Sequence, residues 1–442
     1  MTMISNNKPS DQTAVKKIGN IRWTIVLLMF AIITFDYIDR GIATTVMPVL
    51  TKEFNLSPYL VAIIGAGFTY GYLIMNPVVG YILDRSGAKK AITIFGTGWG
   101  VVQTITAAAF SAFYLVGMRI LLGITEAIGF PAVTKITSKW VAKNEKAKSA
   151  TIQDSGVNLG NVLGSLLILS LVGLVGSSIA WRFGFLISGI LTIALMMILM
   201  VVLVDSPEKH PKITKAELDY ILQNQNVEVE QSRTSVLDWF KNRSYWGTMI
   251  GLGAQAGVFF GLFTWLPMYL FYARHISLTL TITYTALIWS FGFIGEIIGG
   301  FVVDFINKKY GPNVGMKIGF TVSSLGVSFG LFATIFATSS TAAVETLMVT
   351  FLFLRWSGIQ WAVSSFLVPS KYAGQFGGHI GFWETLWGII VPLIFAATVA
   401  KTAAYTEGMY LLVFVGLIYF IGTVIVTTYK PMEKHIEKVS TS

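Results

Sequence analysis

Apolar residues fall into twelve long stretches separated by short polar breaks, at about 22–46, 58–83, 90–112, 114–136, 147–175, 181–204, 246–271, 279–303, 316–338, 344–367, 377–400 and 406–428. Wound as an α-helix, a stretch of about 20 residues spans the roughly 30 Å hydrocarbon core of a bilayer. The pattern predicts an all-α membrane protein with twelve transmembrane helices. The breaks after even-numbered stretches collect positive charge: Arg85, Lys89 and Lys90; Lys139, Lys143, Lys146 and Lys148; Lys209 to Arg243; Lys308 and Lys309; Lys371; and Lys430, Lys434 and Lys438. The opposite breaks hold little beyond Lys52, Arg274 and Lys401. Because basic loops stay inside, both termini and the long middle break are expected to be cytoplasmic.

The middle break divides the chain into a cytoplasmic tail over 1–21, a six-helix bundle over 22–204, a linker over 205–245, a second six-helix bundle over 246–428 and a tail over 429–442. In the linker, Thr214 and Glu217 fit a capping box, which predicts a short surface helix. Composition agrees with a membrane chain: 54% of the 442 residues are hydrophobic, 12% are charged and none is cysteine. A disulfide framework, a thiolate metal site and a cysteine nucleophile are thereby excluded. The net charge of +10 is dispersed over loops, so it reports topology and not a nucleic-acid partner. Residues 1–20 lack a signal-peptide pattern. Gly96-Thr97-Gly98-Trp99-Gly100 and Gly295 to Gly300 follow no strand and lack the phosphate-loop lysine, so they read as helix-packing glycines. Neither a metal site, a cofactor site nor a hydrolytic triad is expected.

Gly80-Tyr81-Ile82-Leu83-Asp84-Arg85-Ser86-Gly87 after the second stretch is echoed by Gly300-Phe301-Val302-Val303-Asp304 after the eighth, so the halves read as parallel copies. Twelve spans, a cytoplasmic middle loop and this loop motif in each half resemble the major facilitator superfamily. Further segments resemble its anion:cation symporter group: Asp36-Tyr37-Ile38-Asp39-Arg40, Arg119 to Pro131, Trp181-Arg182-Phe183, Lys215 to Tyr220, Thr264 to Leu270 and Trp361-Ala362-Val363-Ser364-Ser365. The resemblance implies alternating access between two bundles, with Asp84, Arg85 and Asp304 acting as gate latches.

Charges inside apolar stretches are costly and mark function by default. Arg119 and Glu126 stand seven positions apart, which sets them on one helical face about 10 Å apart. An arginine's rigid fork suits recognition of a carboxylate, and a partly buried Asp or Glu suits proton binding because burial favours the neutral carboxyl. By resemblance, Asp39 and Glu126 are the proton-coupling acids, Arg40 is the substrate-binding arginine, Arg119 engages the acids, and Tyr72 binds substrate. The plainer reading of Asp39 and Arg40 is a local structural pair, with Asp36 one turn earlier as a further partner.

Two departures from the group stand out. Val157 and Gly381 occupy positions where glutamine and asparagine contact substrate hydroxyls, which leaves Asn158, Asn161 or Gln153 as substitutes in the fifth span. Glu296, Arg355 and Glu384 are charges where small or apolar residues are expected. Arg355 is expected to pair with Glu296 or Glu384, either as an ion pair within the second half or as a contact to a second polar group of the ligand. Gln360 and Trp361 complete the expected substrate-binding set, and His379 is the one histidine placed to sense protons.

These readings converge on a monomeric inner-membrane symporter that takes up a small organic anion with protons. The resemblance supplies a sugar acid, namely a hexonate, hexuronate or aldarate. Alternatives are another carboxylate, aromatic or dicarboxylic, proton-driven efflux of drugs or metabolites, and a ligand sensor that does not transport. Enzyme function has no supporting constellation.

Overall fold

The computed structural model describes residues 19–142, 145–224, 236–369 and 372–432. Most of the N-terminal tail, part of the linker, Lys143, Lys371 and the tail beyond residue 432 lie outside the described residues.

The described chain is helical throughout. Its first half contains α1 (Ile21–Thr45), α2 (Met47–Phe54), α3 (Pro58–Gly65), α4 (Gly67–Ser86), α5 (Ala88–Thr106), α6 (Ala112–Glu126), α7 (Gly129–Trp140), α8 (Lys146–Val175) and α9 (Ser177–Val202). After the linker helices α10 (Lys215–Gln223) and α11 (Val236–Trp239) come α12 (Arg243–Met268), α13 (Leu278–Tyr310), α14 (Pro312–Phe336), α15 (Ser340–Leu354), α16 (Val363–Leu367), α17 (Ala373–Thr402) and α18 (Tyr405–Phe420). Among the described residues, ten helical segments are long and apolar enough to cross a bilayer, and eleven if α3 and α4, bent by 47°, count as one. At the expected third span lies α5, 19 residues whose apolar character is diluted by Gly96, Thr97, Gly98, Gly100 and Gln103.

The breaks have local causes. The span predicted over 114–136 is divided after Glu126, and Pro131, which lacks an N–H and whose ring crowds the carbonyl four residues back, sits in the first turn of α7. The span containing Arg355 passes into a 3₁₀ helix over Arg355–Ala362, a tighter winding often found at functional hinges. Gly87 and Gly311 begin the turns after α4 and α13 with nearly the same backbone, φ 80° and 86°, which L-residues with a Cβ avoid. Gly176, after α8, takes the same conformation at φ 83°, so this turn is shared by a loop outside the repeated motif.

The halves meet along α8 against α13 and along α3 and α4 against α17. Within each half, glycines let two backbones touch. A Cβ at Gly71 or Gly123 would run into the backbone of the facing helix, so α4 and α6 approach closely; Gly295 does the same for α13 against α15. These contacts deliver Tyr72 to Glu126 and Glu296 to Arg355.

The predicted linker helix is α10, with Thr214 Oγ1 accepting from Glu217 N at 3.2 Å. It is not a free surface helix, as the capping-box reading expected. The fully buried Glu217 carboxylate accepts from the backbone N–H groups of Ile21 (3.2 Å) and Arg22 (3.0 Å) and pairs with the Arg22 guanidinium at 3.2 Å. A linker residue thereby caps α1, satisfying donors that a helix N-terminus leaves open.

Candidate functional site: a cavity with an arginine from each half

Two clusters of buried charge face one cavity of about 240 Å³, which is small beside drug-sized ligand pockets. The first is built on α1. Asp36 and Arg40 lie one turn apart, and Arg40 Nη2 bonds Asp36 Oδ1 at 2.8 Å, while Arg40 Nε bonds Glu126 Oε2 at 2.9 Å. Arg40 Nη2 also donates to Tyr72 Oη at 2.6 Å, and Tyr72 in turn donates to the Glu126 carbonyl at 3.1 Å, at the end of the broken helix. The guanidinium lies over the rings of Phe68, Tyr37 and Tyr72 at 4.2, 4.8 and 4.9 Å. Arg40 is thus held in a shell of two acids and three aromatics, with both Asp36 Oδ2 and Glu126 Oε1 buried and without a hydrogen-bond partner among the described residues.

Asp39 and Arg119 lie behind this cluster and do not line the cavity. Asp39 Oδ2 accepts from Trp99 Nε1 (3.1 Å) and Thr192 Oγ1 (2.9 Å), which wedges the acid between α1, α5 and α9. Arg119 Nη2 donates to Gln103 Oε1 at 3.3 Å, and Gln103 Nε2 donates to the Asp39 carbonyl at 3.1 Å. In this structure, therefore, Arg40 is the arginine that engages Glu126, and Arg119 reaches the Asp39 backbone through Gln103.

The second cluster centres on Arg355. Its Nη2 bonds Asp154 Oδ2 at 2.9 Å and Glu296 Oε2 at 3.1 Å, with Asn158 Nδ2 donating to the same Glu296 oxygen at 2.5 Å. Asp154 and Asn158 belong to α8 and Glu296 to α13. The expected pair with Glu296 is present, but Arg355 does not bond Glu384, and the pair is not confined to the second half: Asp154 makes it a bridge between halves. The unassigned Asp154 carried a readable signal, an acid within an apolar span. Asn158 supports Glu296 and stays out of the cavity wall, whereas Gln360, Trp361 and Glu384 line it. Val157 and Gly381 line it too.

The cavity is closed at one end, where Gly65 abuts Thr264, Thr51 Oγ1 approaches Met268 Sδ at 3.8 Å and Phe68 packs on Phe260 and Phe263 at 5.7 and 6.3 Å. At the other end Phe130 of the first half stacks on Trp361 of the second at 6.1 Å, and Trp361 is 50% exposed. Beyond it, Asp84 pairs with Lys135 of α7 at 2.6 Å, within its own half, and Arg85 donates to Tyr81 at 2.7 Å. Asp304 is exposed. His379 is held by Tyr245 at 2.9 Å against Trp239 and Phe240, away from the cavity lining.

Long apolar helices around a small, largely apolar cavity that carries buried charge between two chain halves define a multi-pass membrane transporter. The chain belongs to the Major Facilitator Superfamily, whose sequence profile matches residues 29–392. It is 29% identical over 423 residues to an uncharacterised transporter of Bacillus subtilis (strain 168), covering 93% of this chain and 95% of that one. A probable galactarate/D-glucarate transporter of Escherichia coli (strain K12) is 24% identical over 429 residues, 92% of each chain. Among solved structures, a D-xylose-proton symporter superposes with a TM-score of 0.73 at 16% identity, over 93% of this chain and 99% of that one, a likeness of fold. The chain is a transporter of this superfamily and not an enzyme.

Proposed function

We propose that this protein takes up a small organic anion of the sugar-acid class, coupled to protons, by alternating access. The observation that carries the reading is Arg40 on the cavity wall, bonded to both Asp36 and Glu126 and to the Tyr72 hydroxyl. When Glu126 takes up a proton its attraction for the guanidinium falls, and a substrate carboxylate takes its place on the same fork. Proton and anion then load together. Asp39, packed against the backbone of that cluster, is the second proton site, and Arg119 with Gln103 holds its main chain. The name of the E. coli relative supports a sugar acid as cargo. The small cavity and its two arginines weigh against efflux of bulky cationic drugs.

The same reading makes α5 the remaining span, so that twelve helices cross the inner membrane of a bacterial cell as a monomer, with both termini inside. Uptake of hexonate, hexuronate and aldarate into proteoliposomes under an imposed proton gradient tests the coupling. We expect Glu126→Gln to abolish proton-driven accumulation while retaining exchange of internal for external substrate. Full accumulation by that variant would remove Glu126 from the coupling.

A further inference from the structure

The cavity wall away from Arg40 has an imbalance of its own. Glu384 Oε1 and Gln360 Oε1 are buried acceptors without hydrogen-bond partners among the described residues, and both side chains line the cavity. One turn before Glu384 the wall is open, since a Cβ on Gly381 would meet nothing within 4 Å. Unpaired acceptors on a cavity wall call for donors, and none comes from the described residues.

The charge on this wall points the same way. Arg355 carries the one positive charge and already shares it between Asp154 and Glu296, which leaves Glu384 uncompensated. Arg40 is similarly shared here, but protonation of Glu126 loosens it under the reading above; that event leaves both partners of Arg355 in place. The cavity is therefore polarised, with a releasable arginine on one wall and unmatched acceptors on the other.

We propose that Glu384 and Gln360 form a subsite for hydrogen-bond donors, hydroxyl or ammonium, on the far end of a substrate bearing a single carboxylate, and that Glu384 disfavours a second anionic group. The proposal rests on the anion-uptake reading and narrows it: within the sugar acids it selects hexonates and hexuronates over aldarates. Glu384 and Gln360 accept from neighbouring hydroxyls, whereas the second carboxylate of an aldarate offers them no donor and, with Glu384 ionised, brings like charge against it.

Calorimetric binding to the purified full-length protein at neutral pH tests this with hexonate, aldarate, hexanoate and 6-aminohexanoate. Hexonate or 6-aminohexanoate should bind at least about tenfold more tightly than both aldarate and hexanoate, and the tighter of the two identifies the donor as hydroxyl or ammonium. Glu384→Gln, close in shape, should reduce the preference over aldarate about tenfold, and Gln360→Leu should weaken the donor-bearing ligand. Aldarate binding as tightly as hexonate to the unmodified protein would overturn the proposal, as would an unmoved ratio in Glu384→Gln. Fewer protons carried per substrate by Glu384→Gln, with the ratio unchanged, would make Glu384 a coupling site and also overturn it. If none of the acids binds, it is the anion-uptake reading itself that fails.

Discussion

Arg40 shows how one side chain can hold two states. Its partner Asp36 lies one turn away on the same helix and its partner Glu126 lies 86 residues further along the chain, and all three groups are buried. Removing one member of such a set strands the charge of the others, a loss of about 3–5 kcal/mol for a buried pair. Lysine keeps the positive charge but replaces the planar fork with a point donor, so it cannot reproduce the directed bonds to Asp36, Glu126 and Tyr72. Arg40→Lys is expected to retain the fold and weaken substrate affinity at least about tenfold, seen as loss of the ligand-induced rise in melting temperature. Unchanged affinity would show that the substrate carboxylate is held elsewhere.

At the level of elements, the broken spans place the chemistry. The interruption between α6 and α7 leaves the Glu126 carbonyl to Tyr72, and the 3₁₀ winding begins at Arg355. The linker works as a cap. Glu217 of α10 closes the N-terminus of α1, with Arg22 bonded on its other side to Glu145 at 2.9 Å. Glu217→Ala leaves two backbone donors and a guanidinium short of their acceptor, at about 1–3 kcal/mol for a buried group. A lowered melting temperature of the detergent-solubilised protein is expected, with ligand affinity preserved because the cap is remote from the cavity. An unchanged melting temperature would mean that the linker helix does not hold α1.

For the whole molecule, the Arg355 bridge ties the halves beside the cavity, and a motion that opens the α8–α13 seam has to exchange the Asp154–Arg355 bond for another partner. The charge asymmetry of the loops sets which end of the cavity faces the cytoplasm in the proposed topology. The chain has no cysteine, so an introduced one is the sole thiol. In cells, Lys209→Cys should react with a membrane-impermeant maleimide only after permeabilisation, and Thr279→Cys at the opposite ends of the spans should react in intact cells. The reverse pattern would invert the assigned orientation.

The sequence by itself determined the helical class, the family and the charges set inside apolar spans at Arg40, Arg119, Glu126, Glu296 and Arg355. Hydrophobic runs, charge bias and costly intramembrane ions are local signals, written in residue type and spacing. Only the tertiary structure decided the partners: that Arg40 and not Arg119 bonds Glu126, that Arg355 joins Asp154 across the halves and leaves Glu384 unpaired, and that Glu217 caps α1. These pairings depend on which faces of distant helices the backbone contacts at Gly71, Gly123 and Gly295 bring together. A charge can be recognised from its apolar neighbours in the chain, but its counter-charge is chosen by packing between segments far apart in sequence, 201 residues for Asp154 and Arg355, a choice that no local spacing encodes.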